Sequence, residues 1–273
     1  MLADVGPVVL VGAGKMGMAM ADGWLEAGLS PDRLILVDPN PSSAVRNKAS
    51  TVGLTIYQAV PDKHAQVIVL AVKPQVADAV LSSVKPSVGP DTVLISVMAG
   101  ISIAKMEQLS GCAKIIRAMP NTPAQIGKGI TGVFSNKAVD PQDRMIADNL
   151  LEASGDVVWL NEEDDINKVT GVAGSGPAYV FHMVEALAEA AEANGLTPDM
   201  AMRFARQTIV GAAALLEYDT QSSAAQLREN VTSPNGTTYA GLQVLMADNG
   251  LVPLMEKTVR AATERARELG EDE

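Results

Sequence analysis

The chain has 273 residues, enough for one large or two ordinary domains with real cores, which excludes a peptide-sized fold. Its 21 Lys and Arg against 32 Asp and Glu give a formal charge of −11, an excess of acid that disfavours non-specific binding to nucleic acid or anionic membrane. One cysteine, Cys112, and two histidines, His64 and His182, leave no intramolecular disulfide, no Cys-x-x-Cys pair and no cysteine- or histidine-rich metal centre, so no metal is expected. The opening Met1-Leu2-Ala3-Asp4-Val5-Gly6-Pro7 has no basic run before an apolar core, and no stretch of about 18 apolar residues occurs anywhere. A cytoplasmic protein that meets neither membrane nor nucleic acid is expected. Apolar residues make up 47% of the chain and aromatics only 3%, so the core must be built from Ala, Val, Leu, Ile and Met.

The first half alternates short β-branched runs with helical stretches, the pattern of a parallel sheet covered on both faces. Strands are expected at Pro7 to Gly12, Leu34 to Asp38, Val67 to Val72, Thr92 to Ser96 and Lys114 to Met119, each nearly continuously apolar as doubly buried strands should be. A helix over Lys15 to Ala27 ends at Gly28. Asp140-Pro141 supplies a cap and a first-turn proline for another helix ending near Ser154-Gly155, before a last short strand at Val157 to Leu160.

After the acidic segment Asn161 to Asp165 the alternation stops and helices take over. The expected division is a dinucleotide-binding domain over 1–163 and an all-α domain over 164–273. The helix over Pro177 to Ala193 is apolar on nearly every side, a sign of burial that would make His182 a core residue, while His64 is expected to be solvated. Thr197-Pro198 starts the next helix, and the last helix carries Val252, Met255, Val259, Ala262, Ala266 and Leu269 at spacings of three and four. About 110 helical residues with so much apolar surface are too few to bury it alone, so the helical half is expected to form a homodimer.

Gly12-Ala13-Gly14-Lys15-Met16-Gly17 follows the first strand and opens the first helix. In that setting Gly12 permits a tight turn, Gly14 lets a pyrophosphate approach the backbone, and Gly17 lets helix and strand pack closely. Asp38 ends the second strand about 21 residues after Gly17, where a carboxylate accepts from an adenosine ribose and favours NADH. Ser42, Ser43, Arg46 and Lys48 lie just beyond and offer partners to a 2′-phosphate, so NADH and NADPH both stay open, as does a plain capping turn at Asp38 to Pro41.

Ala71-Val72-Lys73-Pro74 and Met119-Pro120-Asn121 also sit at carboxyl ends of strands, where ligands of such sheets bind. In the helical half, Gly174-Ser175-Gly176 and Ser233-Pro234-Asn235-Gly236-Thr237-Thr238 read as helix N-termini. In the second, successive N–H groups and two threonine hydroxyls make either a plain cap or a nest for a small carboxylate. No Ser-His-Asp set can be assembled, which points to a substrate needing little proton transfer, such as a protonated imine.

Together these motifs, with Leu227-Arg228 and Val231-Thr232 ahead of Ser233, resemble the pyrroline-5-carboxylate reductase family from about residue 7 to 269. The resemblance implies a Rossmann-like N-terminal domain, an interlocking helical dimerisation domain that in some members builds larger rings of dimers, and reduction of 1-pyrroline-5-carboxylate to L-proline, the last step of proline biosynthesis, by NADPH or NADH. It places the coenzyme along Gly14, Lys15, Met16, Gly17, Ala71, Lys73, Pro74, Met119 and Asn121, and the reading of the strand ends adds Gly12, Asp38 and Val72 to that surface. The resemblance places the substrate on Ser233, Asn235, Gly236, Thr237 and Thr238, with the Thr238 hydroxyl on the ring nitrogen as the catalytic contact, and Ser175 of the other helix N-terminus is expected to join the substrate site.

Three departures from the family's pattern involve four positions. Asn235 stands where a second glycine is usual, Gln58 and Gln66 stand where Asn and Asp are common, and Lys168 replaces a small residue. Two alternatives stay open at this stage. One is another imine or β-hydroxyacid reductase with Lys168 as proton donor, and the other is a non-catalytic dinucleotide sensor.

Overall fold

A computed structural model describes residues 2–271; residues 1, 272 and 273 of the expected domains lie outside them. By compactness the chain divides into one unit made of the residues up to Ser175 together with those from Ala261 onward, and a second unit of Gly176–Arg260. The division therefore falls later than the expected 163/164 boundary, and the last helix contributes to both units.

The first unit runs β1 (Val8–Val11), α1 (Lys15–Glu26), β2 (Leu34–Val37), α2 (Ser43–Val52), β3 (Ile56–Tyr57), β4 (Val67–Leu70), α3 (Ala77–Ser83), β5 (Val93–Ser96), α4 (Ile103–Ser110), β6 (Lys114–Met119), β7 (Gly129–Ser135), α5 (Pro141–Glu152), β8 (Gly155–Trp159) and α6 (Asp165–Val169). The sheet order is β3-β2-β1-β4-β5-β6-β7-β8. Every pairing is parallel except β6 with β7. This is the doubly wound, Rossmann-like sheet expected. The chain leaves β1 to β2 on one side and returns to β4 on the other, so the carboxyl ends of β1, β2 and β4 frame the crevice where such sheets bind ligands.

Strand residues alternate between two cores, one on each face. Val8 and Leu10 join Met20 and Trp24 of α1 and Leu150 of α5. Val9 and Val11 join Leu81 of α3 and Met106 of α4. Trp24 Nε1 donates to Leu150 O at 2.7 Å, which satisfies the one polar atom of the largest buried side chain and ties α1 to α5. Asp140 caps α5 as expected: Oδ1 accepts from the N–H groups of Gln142 and Asp143, and Asp143 Oδ2 accepts from Asp140 N–H. The burial of Asp143 is compensated by Lys114 Nζ at 2.9 Å, and that hydrogen bond raises the lysine above its ordinary pKa.

Strand β7 was not among the expected elements. Its two glycines and polar residues interrupt the apolar run that marks the other strands.

The residues after β8 belong physically to the sheet. Ile166 is buried, and Glu163 Oε1 accepts both from Arg117 Nη1 at 2.7 Å and from Ile103 N–H at 2.9 Å. Arg267 Nε and Nη2 donate to the two Asp164 oxygens at 2.8 and 2.6 Å, and this guanidinium, with Asn167, holds the Asp164 carboxyl well below the usual carboxylate range. Arg117 is 7% exposed at its side chain, so removing its partner leaves a buried charge. Glu163→Ala is expected to lower stability by about 2–3 kcal/mol, read as a lower urea midpoint at unchanged slope.

The second unit is helical: α7 (Gly176–Ala193), α8 (Pro198–Tyr218), α9 (Ala224–Asn230), α10 (Thr237–Leu245) and the first part of α11 (Leu251–Glu271). Ala188, Ala201 and Ala205 close the α7/α8 contact, where small side chains allow near approach. Helix α7 is apolar as expected, yet its own chain leaves Val180, Phe181, Met183 and Leu187 exposed. His182 is a correction. Its side chain is 81% exposed and meets Glu185 across one helical turn, because this face lacks a cover within the chain. His64 is exposed, as expected. Within the α11 seam Ala266 is buried, Met255, Val259, Ala262 and Leu269 are half-buried, and Val252 is exposed.

Candidate functional site

At the carboxyl edge of β1 the chain turns at Gly12 with φ of 101°, a conformation that suits glycine. A Cβ there would lie 2.5 Å from Ala71 O and 2.9 Å from Val72 Cγ1, so the expected Ala71 and Val72 are packed beneath the loop. A Cβ on Gly17 would overlap the Gly12 carbonyl oxygen, which is how this glycine lets α1 approach the strand. Gly14 is the N-cap of α1, with no side-chain cap and nothing within 4 Å of where its Cβ would be. Exposed Lys15 and half-buried Met16 begin the helix. An open helix N-terminus with uncapped N–H groups is the chemistry a pyrophosphate requires, so the cradle fits a dinucleotide.

Asp38 lies against this loop: Oδ2 accepts from Ala13 N–H at 2.9 Å, and Oδ1 accepts from Asn40 N–H at 2.8 Å. It is thus both a turn cap and a brace for the glycine loop, and Ala13 was not foreseen as its partner. Lys73 is exposed and precedes the 3₁₀ turn begun by Pro74. Gly12, Asp38, Ala71 and Val72 therefore form one group at the ends of β1, β2 and β4.

Met119 ends β6 nearly buried. Asn121 Oδ1 accepts from Ile130 N–H at 3.0 Å, which orients the side-chain amide and its Nδ2 donor. After α6 comes a π turn, Thr170–Gly174, closed by Ser175 N–H on Thr170 O at 2.9 Å. A Cβ on Gly174 would sit 3.5 Å from Thr170 Cγ2 and 3.9 Å from Met119 Sδ, which places this segment beside the Met-Pro-Asn turn. π turns frequently mark functional positions. Thr170 was not singled out from the sequence, since such a turn has no residue signature comparable to a capping pattern.

In the second unit, Ser233 to Gly236 form a tight turn closed by Gly236 N–H on Ser233 O at 3.0 Å. Gly236 is the N-cap of α10 without a side-chain cap, and a Cβ on it would overlap Ser233 Oγ. Thr237 and Thr238 occupy the exposed first turn of α10. Asn235 has φ of 58°, the one non-glycine residue with positive φ among the described residues. The position does need a left-handed backbone, and asparagine supplies it at lower cost than most side chains. The result is a shallow, polar helix N-terminus suited to a small anion.

Other polar groups are committed elsewhere. Lys168 Nζ is 2.7 Å from Asp165 Oδ1 and 3.7 Å from Asp164 Oδ2, and the Asp165 hydrogen bond raises it above the usual lysine range. A lysine held this firmly protonated is a poor donor at neutral pH, so Lys168→Ala is expected to leave kcat/KM within about twofold of wild type in a steady-state assay. Gln66 Oε1 accepts from Gly6 N–H at 2.6 Å, a structural use away from the loop. A cavity of about 320 Å³ is lined by Arg117, Glu163, Asp164, Asn167 and Arg267, but a carboxylate matches each guanidinium, so it offers a substrate anion no net cation. Among the described residues no group of three or more His, Cys, Asp or Glu is placed to hold a metal, and no helix is long and apolar enough to cross a membrane.

Comparison with known proteins matches residues 163–269 to a family profile for pyrroline-5-carboxylate reductase dimerisation, and residues 7–100 to one for coenzyme F420-dependent NADP oxidoreductases. The pyrroline-5-carboxylate reductase of Pseudomonas aeruginosa is 36% identical over 268 residues, covering 97% of each chain. The chain belongs to the pyrroline-5-carboxylate reductase family. The Pisum sativum reductase is 35% identical, over 98% of this chain and 97% of its own. The solved reductase of Coxiella burnetii superposes with a TM-score of 0.89 at 35% identity, covering 97% of this chain and 99% of that one. The Plasmodium falciparum reductase, solved with NADP bound, gives 0.83 at 29% identity over 99% and 100%. The dimerisation profile begins at residue 163, so the family's domain starts at the acidic segment although compactness carries α6 with the sheet.

Proposed function

We propose that this chain reduces 1-pyrroline-5-carboxylate to L-proline with NADH or NADPH, the last step of proline biosynthesis. Family membership along nearly the whole chain carries this reading, supported by the open, uncapped glycine loop in one unit and the uncapped α10 N-terminus in the other. The reduced nicotinamide supplies a hydride to the imine carbon. The first-turn N–H groups of α10 and the Thr237 hydroxyl hold the substrate carboxylate, where the helix dipole favours an anion. Ser233, Asn235 and Gly236 shape the turn that presents those donors, and Ser175 of the other helix N-terminus joins the substrate site. The Thr238 hydroxyl accepts from the N–H of the protonated ring nitrogen, fixing the imine and keeping its proton in place as the nitrogen becomes an amine. Since the substrate arrives protonated, positioning supplies most of the rate and no strong enzymic acid is required. Lys15, Met16, Lys73, Pro74, Met119 and Asn121 complete the coenzyme surface around the glycine loop.

The test is the initial rate of NADH and NADPH oxidation by purified protein with 1-pyrroline-5-carboxylate, beside a six-membered cyclic imine acid. Turnover of the five-membered imine is expected. Coenzyme binding without oxidation of either imine overturns the proposal.

The dimerisation profile and the uncovered α7 face support self-association as a homodimer. A larger ring of dimers as the higher assembly, and the cytoplasm as the compartment, are part of the same proposal. Phe181 is 65% exposed in the single chain. Phe181→Asp is expected to shift the protein to monomer in size-exclusion chromatography with light scattering, because a buried unpaired carboxylate opposes an apolar interface.

A further inference from the structure

We infer that Asp38 commits this chain to NADH over NADPH, an inference that deepens the proposed reductase reading and, in its activity arm, rests on it. The sequence leaves two rival features after β2, a carboxylate at Asp38 and basic or hydroxyl groups at Ser42, Ser43, Arg46 and Lys48. The structure separates them.

The carboxylate is immobilised by the Ala13 and Asn40 N–H groups, one on each oxygen. Ala13 lies inside the glycine loop, so Asp38 is fixed at the coenzyme surface itself. Each carboxylate oxygen has about two acceptor sites, so each keeps one for an outside donor. A ribose with free 2′ and 3′ hydroxyls supplies two such donors. A 2′-phosphate, mostly dianionic at neutral pH, supplies none and brings like charge toward a carboxylate that the loop holds in place.

The groups that would counter this repulsion are only partly available: Lys48 and the Arg46 Nε have partners in the protein, while Arg46 keeps its Nη donors and Ser42 its O–H, farther from the glycine loop in sequence than Asp38. Lys48 Nζ pairs with Asp22 Oδ2 on α1 at 2.5 Å. Arg46 Nε donates to the Pro41 carbonyl at 3.1 Å. Ser42 Oγ accepts from Val45 N–H at 3.3 Å and caps α2, so this helix N-terminus already has a side-chain partner for one of its donors.

The experiment is a fluorescence titration of the full-length protein with NADH and with NADPH, in wild type, Asp38→Asn and Arg46→Ala, with thermal melts of each. Wild type is expected to bind NADH about tenfold or more tightly than NADPH. Asp38→Asn, which keeps an acceptor for Ala13 but loses the charge, is expected to narrow that ratio to about threefold or less, while Arg46→Ala leaves it unchanged. Tighter NADPH binding by wild type overturns the inference, as does an unchanged ratio in a folded Asp38→Asn or a collapse of NADPH affinity in Arg46→Ala. If Asp38→Asn does not fold, the wild-type ratio alone decides. Running kcat/KM for 1-pyrroline-5-carboxylate with both coenzymes separates the two failures: no turnover with either defeats the proposed reaction and leaves the binding ratio as the test of Asp38, whereas turnover that favours NADPH defeats the coenzyme assignment alone.

Discussion

Gly17→Ala is expected to abolish measurable coenzyme binding and to lower stability by about 2–4 kcal/mol. The added methyl would overlap the Gly12 carbonyl oxygen and come within 3.3 Å of Ala71 Cβ. Both obstacles belong to the tightest part of the fold, where Gly12 itself rests on Ala71 and Val72, so neither can yield without moving β1 relative to β4. Relief requires α1 to back away from the strand, and that displaces the Gly14 N-cap and the N–H groups that receive a pyrophosphate. A coenzyme titration and a thermal melt on the same sample check both effects. Wild-type affinity in this variant would show that the glycine loop is not the coenzyme's seat. Alanine at Gly14, by contrast, meets no atom within 4 Å in the protein, so its expected cost falls on the ligand and the melt should stay near wild type.

Thr238→Ala is the second large effect, of a different kind. Thr238 is exposed in the first turn of α10, so its loss leaves the fold intact and the melting temperature nearly unchanged. What is removed is the hydroxyl assigned to the ring nitrogen, and a charge-assisted hydrogen bond of this type corresponds to about 10- to 100-fold in kcat/KM. Coenzyme affinity should stay at the wild-type value, and Thr238→Ser should recover most of the activity because it restores the oxygen. Wild-type kinetics in Thr238→Ala would remove the assigned role, whatever the fate of the wider functional reading.

Much of the glycine loop proposed to hold the coenzyme was legible because it rests on short-range chemistry. A glycine loop between a buried strand and a helix has few alternative uses, and the tight contacts at Gly12 and Gly17 agree with the roles assigned to those residues. Asn235 was legible only through the family resemblance, as standing where a glycine is usual, and its φ of 58° is the left-handed backbone such a glycine supplies. Elsewhere the signal was absent. β7 was hidden because its glycines break the apolar pattern, and the π turn at Thr170–Gly174 has no residue signature comparable to a capping pattern. His182 was misread because an apolar helix looks the same whether its own chain or another molecule covers it.

The sequence by itself determined the parallel sheet, its two buried faces, the glycine loop, the α5 cap and the change to helices near residue 161, since each follows from local periodicity, propensity or turn chemistry. Tertiary structure alone decided which polar groups are free. Arg117 with Glu163, Arg267 with Asp164, Lys48 with Asp22 and Ala13 with Asp38 are partners 25 to 103 residues apart. A charge in a sequence has no declared partner. Only the fold brings the second group within hydrogen-bonding distance, and that distance determines whether a side chain braces the protein or remains to meet a ligand.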